Sequence, residues 1–95
     1  MYYKSKMKCT KFQLEIWSYL KTIPKGEIKT YKQVAIALKR PKAARAVANA
    51  CSKNPYPPYI PCHRVIRSDG KLGGYSGKGG TKTKLRLLRF EKVNI

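Results

Sequence analysis

Apolar side chains recur at intervals of three or four residues early in the chain, which is the spacing of an amphipathic helix. The first such series runs from Phe12 to Leu20 and includes Trp17. It opens with Thr10 and a glutamine three residues later, a capping box that satisfies free backbone amides at a helix start. The pattern predicts a helix over 11–21, ended by a Pro-Lys-Gly turn, with Trp17 in the core.

A second and a third helix are predicted close together. Thr30 and Gln33 form another capping box, and apolar residues follow on one helical face. Pro41 ends this helix and suits the first turn of the next one, which a run of alanines predicts over 43–50. Two short helices joined by a tight turn are typical of a helix-turn-helix. Leucines at helical spacing predict a final helix over 83–90.

The remaining segments predict turns and a small amount of sheet. Four prolines within 54–61 exclude a helix interior and predict a stiff, extended connection that leads to Cys62. Asp69-Gly70 between two short runs predicts a β-hairpin, and a glycine-rich loop follows it. The expected fold is mainly α, a small helical domain with a helix-turn-helix and a short β-hairpin. The 95 residues fit a single domain, with residues 1–9 as an N-terminal extension.

Positive charge dominates the composition. Twenty-two Lys and Arg face four acidic residues, giving a formal net charge of +18. Such an excess repels itself and attracts polyanions, so nucleic acid is the expected partner, because its phosphates would neutralise the charge. A solubilising basic surface is the alternative. Charge alone does not separate DNA from RNA or from an anionic membrane.

The cysteine count and the first residues bear on the cellular compartment. Three cysteines, an odd number, predict at least one free thiol. The first residues are charged and lack the apolar stretch of a secretory signal, and no run of the sequence is long enough for a transmembrane helix. We therefore expect a reduced, intracellular protein with no membrane partner.

Candidate chemistry concentrates at Cys62 and at His63, which is the only histidine. An imidazole neighbour favours the reactive thiolate, although adjacent side chains on an extended segment point apart, so a water or a turn would have to connect them. Glu91 is the natural residue to orient the imidazole, because acids are scarce. Three alternatives fit the same residues: a buried structural cysteine, a Cys-His protease, and a zinc site that also uses Cys9 and Cys51.

The stretch Ile-Pro-Cys-His-Arg-Val-Ile at 60–66 resembles the active-site signature of the O6-alkylguanine-DNA alkyltransferases, also called methylated-DNA–protein-cysteine methyltransferases. The match is to the C-terminal, active-site domain of that family, and it runs from about Phe12 to Glu91. Further segments agree in order: Gly26-Glu27-Ile28, Thr30-Tyr31, Pro41 to Val47, Asn54-Pro55, Gly74 to Gly77 and Leu87-Leu88. The resemblance implies a helix-turn-helix that enters the minor groove and a pocket that receives a guanine flipped out of the duplex.

The resemblance also implies a role for each matching residue. Cys62 would accept the alkyl group, His63 would act through a water as its base, and Glu91 would orient His63. Asn54 would be the hinge between the recognition helix and the active-site turn, and Tyr31 would promote flipping and donate a proton to the leaving guanine. The positions expected to contact DNA are Tyr31, Arg45 as the finger that fills the vacated stack, Ala44, Ala46, Asn49 and Ser52. The positions expected to form the substrate pocket are Pro57, Val65, Tyr75 and Ser76.

The implied activity is DNA repair by direct and stoichiometric alkyl transfer. Because the product is a thioether that no group in the site can cleave, each molecule would act once. No metal and no other cofactor is needed. The expected partner is double-stranded DNA that contains O6-alkylguanine, bound by a monomer.

Two departures and two rival functions accompany this resemblance. The family usually carries an additional N-terminal domain, whereas fewer than a dozen residues precede the first predicted helix here, and the loop at 77–80 is about two residues longer. Alkyltransferase-like proteins bind the same lesions without transfer, usually with Trp in place of the nucleophile, so Cys62 favours the enzyme. A generic basic helix-turn-helix regulator is the other rival.

Overall fold

The computed structural model describes residues 10–93, which form a small helical domain with four helices and a two-stranded sheet. In chain order the elements are α1 (Lys11–Leu20), β1 (Lys29–Thr30), α2 (Tyr31–Ala37), α3 (Ala44–Ser52), a 3₁₀ turn (Cys62–Arg64), β2 (Val65–Ile66) and α4 (Gly80–Phe90). The expected helical fold class is confirmed. The N-terminal extension predicted for 1–9 lies outside the described residues.

Both predicted capping boxes are present. The Thr10 hydroxyl accepts from Gln13 N at 3.0 Å, and the Gln13 side chain accepts from Thr10 N at 2.9 Å. Thr30 and Gln33 make the same reciprocal pair at 3.0 and 2.8 Å. Each box satisfies two backbone amides that would otherwise lack partners at a helix start, which explains why α1 and α2 begin where the sequence predicts.

The helix-turn-helix consists of α2 and α3, which pack against each other. Lys39 adopts a left-handed conformation (φ 63°) just after α2, and Arg40 N donates to Ala35 O at 2.9 Å, which ends the helix. Pro41 lies in the connecting turn and not in the first turn of α3, which begins at Ala44. The predicted helix therefore exists, but it is displaced by one residue at its start and extends two residues further.

Trp17 lies at the centre of the core, as the sequence predicts. It is fully buried, and its indole Nε1 donates to Ala50 O at 2.9 Å, which links α1 to α3. The indole thus buries a large apolar surface while its only polar atom is satisfied. Around it lie other fully buried side chains of α1, α2, α3 and the segment before the 3₁₀ turn: Ile16, Leu20, Val34, Val47 and Ile60.

The predicted β-hairpin is wrong. The strand Val65–Ile66 pairs in parallel with Lys29–Thr30, from the start of α2. Gly70 does form a turn, with Arg67 N donating to the carbonyl of residue 71 at 2.9 Å, but the chain beyond it is not a strand. The physical reason is that β2 takes its partner from a distant segment, while the carbonyl of the returning residue Leu72 accepts a hydrogen bond from a buried lysine of α4 and not from a strand.

The proline-rich segment is a compact turn and not the extended connection that the sequence predicts. Ile60 N donates to Tyr56 O at 2.9 Å, and the Asn54 side chain bonds to both ends of this turn. The Pro57–Pro58 peptide bond is cis. Prolines do exclude a helix here, but the side-chain hydrogen bonds of one asparagine determine that the chain folds back.

The final helix, α4, begins at Gly80 and not at Thr83. Gly79 precedes it with φ 92°, a conformation that suits glycine, and the Thr83 hydroxyl donates to Lys78 O at 2.7 Å. Among residues 10–93, none of the helices is both long enough and apolar enough to cross a membrane.

Candidate active site

Cys62 and His63 lie in one 3₁₀ turn directly after the proline-rich segment. Cys62 N donates to Ile60 O at 2.8 Å, and Arg64 N donates to Pro61 O at 3.0 Å. Pro61 has a fixed φ, which helps the chain enter the turn in one conformation. Cys62 and His63 are each 1% exposed. The chain therefore turns at these two residues, but no hydrogen bond is found among the described residues between the Cys62 sulfur and the imidazole of His63.

Glu91, the residue after α4, holds the imidazole of His63 and the guanidinium of Arg64 together. Its Oε2 lies 2.9 Å from His63 Nε2 and 2.8 Å from Arg64 Nη2, and its Oε1 accepts from Arg64 Nε at 2.9 Å. Arg64 Nη1 donates to Ile23 O at 2.8 Å, which fixes the guanidinium. Burial alone would raise the pKa of the Glu91 carboxyl, but the hydrogen bonds from Arg64 and His63 outweigh it and lower that pKa to about 2. Glu91 is therefore ionised at neutral pH.

The charge on Glu91 determines the tautomer of His63. An ionised carboxylate only accepts hydrogen bonds, so Nε2 of the imidazole carries the proton. The other ring nitrogen, Nδ1, then presents a lone pair, and it is buried without a hydrogen-bond partner among the described residues. Burial lowers the pKa of His63, against the opposing effect of Glu91, and favours the neutral ring. A neutral imidazole with a fixed tautomer and an available acceptor has the properties of a general base.

Asn54, Ser76 and Lys84 are the polar residues that act on the sulfur of Cys62. Burial is the largest influence and raises the pKa of the Cys62 thiol, while hydrogen bonds from Asn54 and Ser76 and the charge of Lys84 lower it in part. The neutral thiol is therefore the resting form, and not the thiolate that the sequence favours. The reason is that burial disfavours the charged sulfur more than its neighbours stabilise it. The same donors would stabilise a thiolate once a base removes the proton.

Asn54 connects the three segments around the sulfur. Its Nδ2 donates to Ile60 O at 2.7 Å and its Oδ1 accepts from Tyr56 N at 2.9 Å. Its backbone carbonyl accepts from the Ser76 hydroxyl at 3.2 Å. Asn54 follows α3 closely and is 5% exposed. It thus joins the end of α3, the proline-rich turn and the glycine-rich loop, which is the geometry required of a hinge.

A cavity of about 420 Å³ opens where α2 and α3 begin. Its lining residues come from α2, α3, the turn after β2 and the glycine-rich loop: Tyr31, Ala44, Arg45, Ala48, Ser52, Arg67, Ser68, Gly73 and Gly74. Burial, followed by the effects of Cys51 and Cys62, raises the pKa of Tyr31 to about 12. Its phenol therefore stays protonated at neutral pH and can donate to a group in the cavity.

The cavity brings together four of the six positions predicted to contact DNA: Tyr31, Ala44, Arg45 and Ser52. Asn49 is exposed and Ala46 is half-buried, and neither lines the cavity. Helical geometry explains the position of Ala46, which lies on the far side of α3 from residues 44, 45, 48 and 52, but it does not account for Asn49, which is four residues after Arg45. Contact with DNA stays a prediction for all six.

None of the four predicted substrate-pocket positions lines the cavity, and two of them, Tyr75 and Ser76, lie near the sulfur. Val65 is fully buried in β2, Tyr75 and Ser76 are half-buried, and Pro57 is half-buried in the proline-rich turn. Burial, and then a charge on Cys62, raises the pKa of Tyr75 to about 12, so this phenol lies near the sulfur. Within the described residues Cys62 does not line the cavity itself.

Tyr31 connects the cavity to the sulfur. It lines the cavity, and it lies close enough to Cys62 for a charge on the sulfur to raise its pKa. Its phenol rests against Gly73, where an added Cβ would come within 2.4 Å of Tyr31 Oη. Gly73 has φ +75°, so both its conformation and its close approach require glycine.

The other cysteines offer little chemistry in the described part of the chain. Cys51 is buried on α3, and burial raises its thiol pKa to about 12. Residues 10–93 contain no group of three or more His, Cys, Asp or Glu side chains that could hold a metal ion. Cys9, which the zinc alternative also requires, lies outside the described residues.

Two charged residues, one half-buried and one buried, are missing from the sequence predictions. Arg64 holds Glu91, and its position directly after His63 is the signal that could have identified it. Lys84 is fully buried on α4. It lies four residues before the buried Leu88 and therefore on the same, apolar face of the helix. A lysine at such a position could have indicated a buried charge.

The fold and the site together define a small helix-turn-helix domain in which a buried cysteine and a histidine lie in a 3₁₀ turn, and a glutamate at the end of α4 bonds to that histidine. Residues 11–93 match the family model described as 6-O-methylguanine DNA methyltransferase, DNA binding domain. The chain belongs to this family. It is 51% identical over 85 residues to the bifunctional transcriptional activator/DNA repair enzyme Ada of Escherichia coli, covering 90% of this chain and 23% of Ada.

Solved structures agree with this assignment. The Mycobacterium tuberculosis OGT in complex with DNA superimposes with a TM-score of 0.83 and 46% identity, covering 90% of this chain and 51% of that one. The Schizosaccharomyces pombe Atl1, in complex with damaged DNA containing O6-carboxymethylguanine, gives a TM-score of 0.78 and 30% identity, covering 94% of this chain and 82% of Atl1. The chain spans between 23% and 57% of the first curated relatives that it matches.

Proposed function

We propose that this chain is both the DNA-binding and the alkyl-accepting domain of a DNA repair protein. It removes the alkyl group from O6-alkylguanine in duplex DNA and transfers it to Cys62 Sγ, once per molecule. The family match and the DNA complexes of its structural neighbours support DNA as the partner. The net charge of +18 supports it independently, since phosphates would neutralise that charge.

The observation that carries the proposal is the state of His63. Glu91 fixes its tautomer, and its buried Nδ1 has no hydrogen-bond partner among the described residues while a buried cysteine precedes it in the same turn. Such an atom is costly in a structural role, because an unsatisfied buried polar atom destabilises a fold by about 1–3 kcal/mol. The Nδ1 atom has a function if His63 is the base that takes the Cys62 proton, directly or through one water.

The transfer step balances with the groups present. The S–H proton of Cys62 passes to His63, the sulfur attacks the alkyl carbon, an S–C bond forms and the C–O6 bond of guanine breaks. Guanine would leave as an anion unless it received a proton, and the phenol of Tyr31 supplies one. Tyr31 then regains a proton, through solvent, from His63. The net change is the exchange of the thiol proton for the alkyl group.

Access to the alkyl carbon requires the base to leave the helix. Arg45 is exposed on α3 at the edge of the cavity, where it can enter the stack that the flipped base vacates. The cavity of about 420 Å³ receives part of the flipped nucleotide beside Tyr31. Because Cys62 is 1% exposed, the glycine-rich loop shifts when the base approaches the sulfur.

The test is the mass of the intact protein after incubation with a duplex that contains one O6-methylguanine. The expected result is the gain of one methyl in place of hydrogen, located on the Cys62 peptide. Cys51→Ser is the matched control, since it removes another buried thiol and should still be alkylated. Cys62→Ala should bind the duplex without a change in mass. A wild-type protein that keeps its mass refutes the transfer.

A second candidate function is lesion binding without transfer. The similarity to Atl1 over 94% of this chain favours it, as does the burial of Cys62. The same experiment separates the two functions, because a lesion binder would prefer the O6-methylguanine duplex over the unmodified duplex and would not gain mass.

We also propose that the protein acts inside the cell as a monomer. One sulfur and one cavity within a single chain form the whole proposed site, so a second copy contributes nothing to it. Size-exclusion chromatography of the complex with a short duplex should give one protein per duplex, and two would contradict the proposal.

A further inference from the structure

Lys84 is a buried cation that takes no part in the transfer step described above. It lies on α4, its residue is 0% exposed, and among the buried polar side chains of residues 10–93 it is the only lysine. Burying an ammonium without partners costs many kcal/mol. The fold must therefore provide partners for it, and their identity indicates what Lys84 does.

The partners of Lys84 are backbone carbonyls and an aromatic ring. Its Nζ donates to Leu72 O and to Gly74 O, the latter at 3.2 Å. It also lies 5.8 Å from the centroid of the Tyr31 ring, within the range of a cation–π contact. An ammonium has three N–H donors, and two carbonyls and one π face match that number.

The two carbonyls belong to a loop that reaches both the cavity and the sulfur. Gly73 and Gly74 line the cavity, and the next two residues, Tyr75 and Ser76, lie beside Cys62. Residues 71–76 contain no helix or strand. A lysine anchored on α4 therefore replaces regular hydrogen bonding as the support of this loop.

From these contacts we propose that Lys84 is a positioning residue for alkyl transfer. Its ammonium ties the main chain at Leu72 and Gly74 to α4, which keeps Ser76 against the sulfur, and its charge stabilises the thiolate of Cys62. The inference rests on the proposed function, because it assigns Lys84 a part in that reaction. Lys84 touches neither the base nor the alkyl carbon, and it acts through the loop and the sulfur.

The electrostatics agree with this geometry. Burial lowers the pKa of Lys84, whereas charges on Cys51 and Cys62 raise it, and in return Lys84 lowers the pKa of Cys62. The titratable groups around Lys84 are Tyr31 on α2, Cys51 on α3, and Cys62 and His63 on the 3₁₀ turn. Within the described residues no carboxylate bonds to its Nζ, so the thiolate is the anion that its charge can stabilise.

The experiment compares Lys84→Met, Lys84→Gln and the control Lys82→Met, which removes an exposed lysine from the same helix. Thermal unfolding first identifies which variants are folded. Three measurements follow on each variant of the 95-residue chain: the single-turnover rate of methyl transfer from an O6-methylguanine duplex, duplex affinity in a Cys62→Ala background, and the pH profile of Cys62 alkylation by iodoacetamide.

Lys84→Met lacks the charged hydrogen bonds to the loop, so its methyl transfer should be about tenfold or more slower than that of the wild type. Its affinity for the duplex should change less than about twofold. Its iodoacetamide profile should move to higher pH. Lys84→Gln keeps one donor for the loop but no charge, so it should show the same pH shift with a smaller loss of rate. Lys82→Met should behave as the wild type in all three measurements.

A folded Lys84→Met variant with wild-type rate and pH profile overturns the inference. The inference also fails if the slower transfer of Lys84→Met is explained by weaker duplex binding. It fails as well if Lys82→Met slows transfer by the same factor. If Lys84→Met does not fold, Lys84→Gln decides the question by its pH profile. Failure of wild-type transfer refutes the proposed function instead, and the iodoacetamide profile, which needs no DNA, still decides whether Lys84 stabilises the thiolate.

Discussion

Replacement of Glu91 by glutamine tests the ion-pair network of the candidate active site. The amide keeps the shape of the side chain but removes the charge that Arg64 and His63 share. A carboxyl pKa lowered from 4.5 to about 2 corresponds to about 3 kcal/mol of stability at neutral pH. The side chains of Glu91 and Arg64 are 7% and 16% exposed. Solvent screening at the Arg64 end reduces the expected loss to about 2 kcal/mol.

The pH dependence of this loss has a definite sign. Because the folded-state pKa of Glu91 lies below its unfolded value, its contribution is complete above pH 4.5 and disappears as the pH falls towards 2. The chain has only four acidic residues, so few other carboxyls titrate in this range. The difference in unfolding free energy between wild type and Glu91→Gln should be about 2 kcal/mol at pH 7 and less than half of that at pH 3.

Urea unfolding of both proteins at several pH values measures this difference directly. Glu27→Gln is the matched control, because it removes the same charge from an exposed position and should change stability by less than about 0.5 kcal/mol. The reasoning is refuted if the Glu91→Gln loss is the same at pH 3 as at pH 7, or if Glu27→Gln costs as much. Transfer by Glu91→Gln should also slow, since the tautomer of His63 is no longer fixed.

Three further changes test the hinge, the cavity and the DNA contact. Asn54→Ala removes the bonds to Ile60 and to the proline-rich turn, so urea unfolding should show a loss of about 1–3 kcal/mol. Gly73→Ala places a Cβ against Tyr31 at a left-handed φ, which should cost about 1–3 kcal/mol of stability and slow transfer at unchanged Cys62 reactivity. Arg45→Ala should weaken binding to duplex more than to single-stranded DNA, and the wild-type affinity should fall steeply with salt, as fluorescence anisotropy can measure.

Each of these predictions has a contrary result. An Asn54→Ala protein with wild-type stability would show that the proline-rich turn holds its shape without the hinge. Full transfer by Gly73→Ala would mean that the position of the Tyr31 phenol does not matter. Equal losses on duplex and single-stranded DNA would remove the finger role of Arg45, and a flat salt response would argue against phosphate contacts.

Local signals in the sequence predicted the helices well. Both capping boxes, the core position of Trp17 and the break between α2 and α3 follow from interactions within a few residues, and the structure contains all of them. The family resemblance also named Cys62, His63 and Glu91. The structure brings two of them, His63 and Glu91, together although 28 positions separate them.

Long-range contacts account for what the sequence did not predict. The strand at Val65 pairs with a segment far away in sequence, and the dipeptide at Asp69-Gly70 gives no indication of that partner. The protonation state of Cys62 depends on burial by the whole fold, so a motif alone suggested the wrong resting form. Lys84 looked like one of many surface lysines, because a net charge of +18 makes any single lysine inconspicuous.

The capping boxes of α1 and α2 have a further effect on how the domain meets an anionic partner. Both use glutamine at the third position, where glutamate would make the same hydrogen bonds. A glutamate there would cancel the positive end of the helix dipole, and among the described helices none has an acidic residue in its first turn. Glutamine thus caps the starts of these helices without adding a negative charge, so the positive ends of the helix dipoles still attract phosphate.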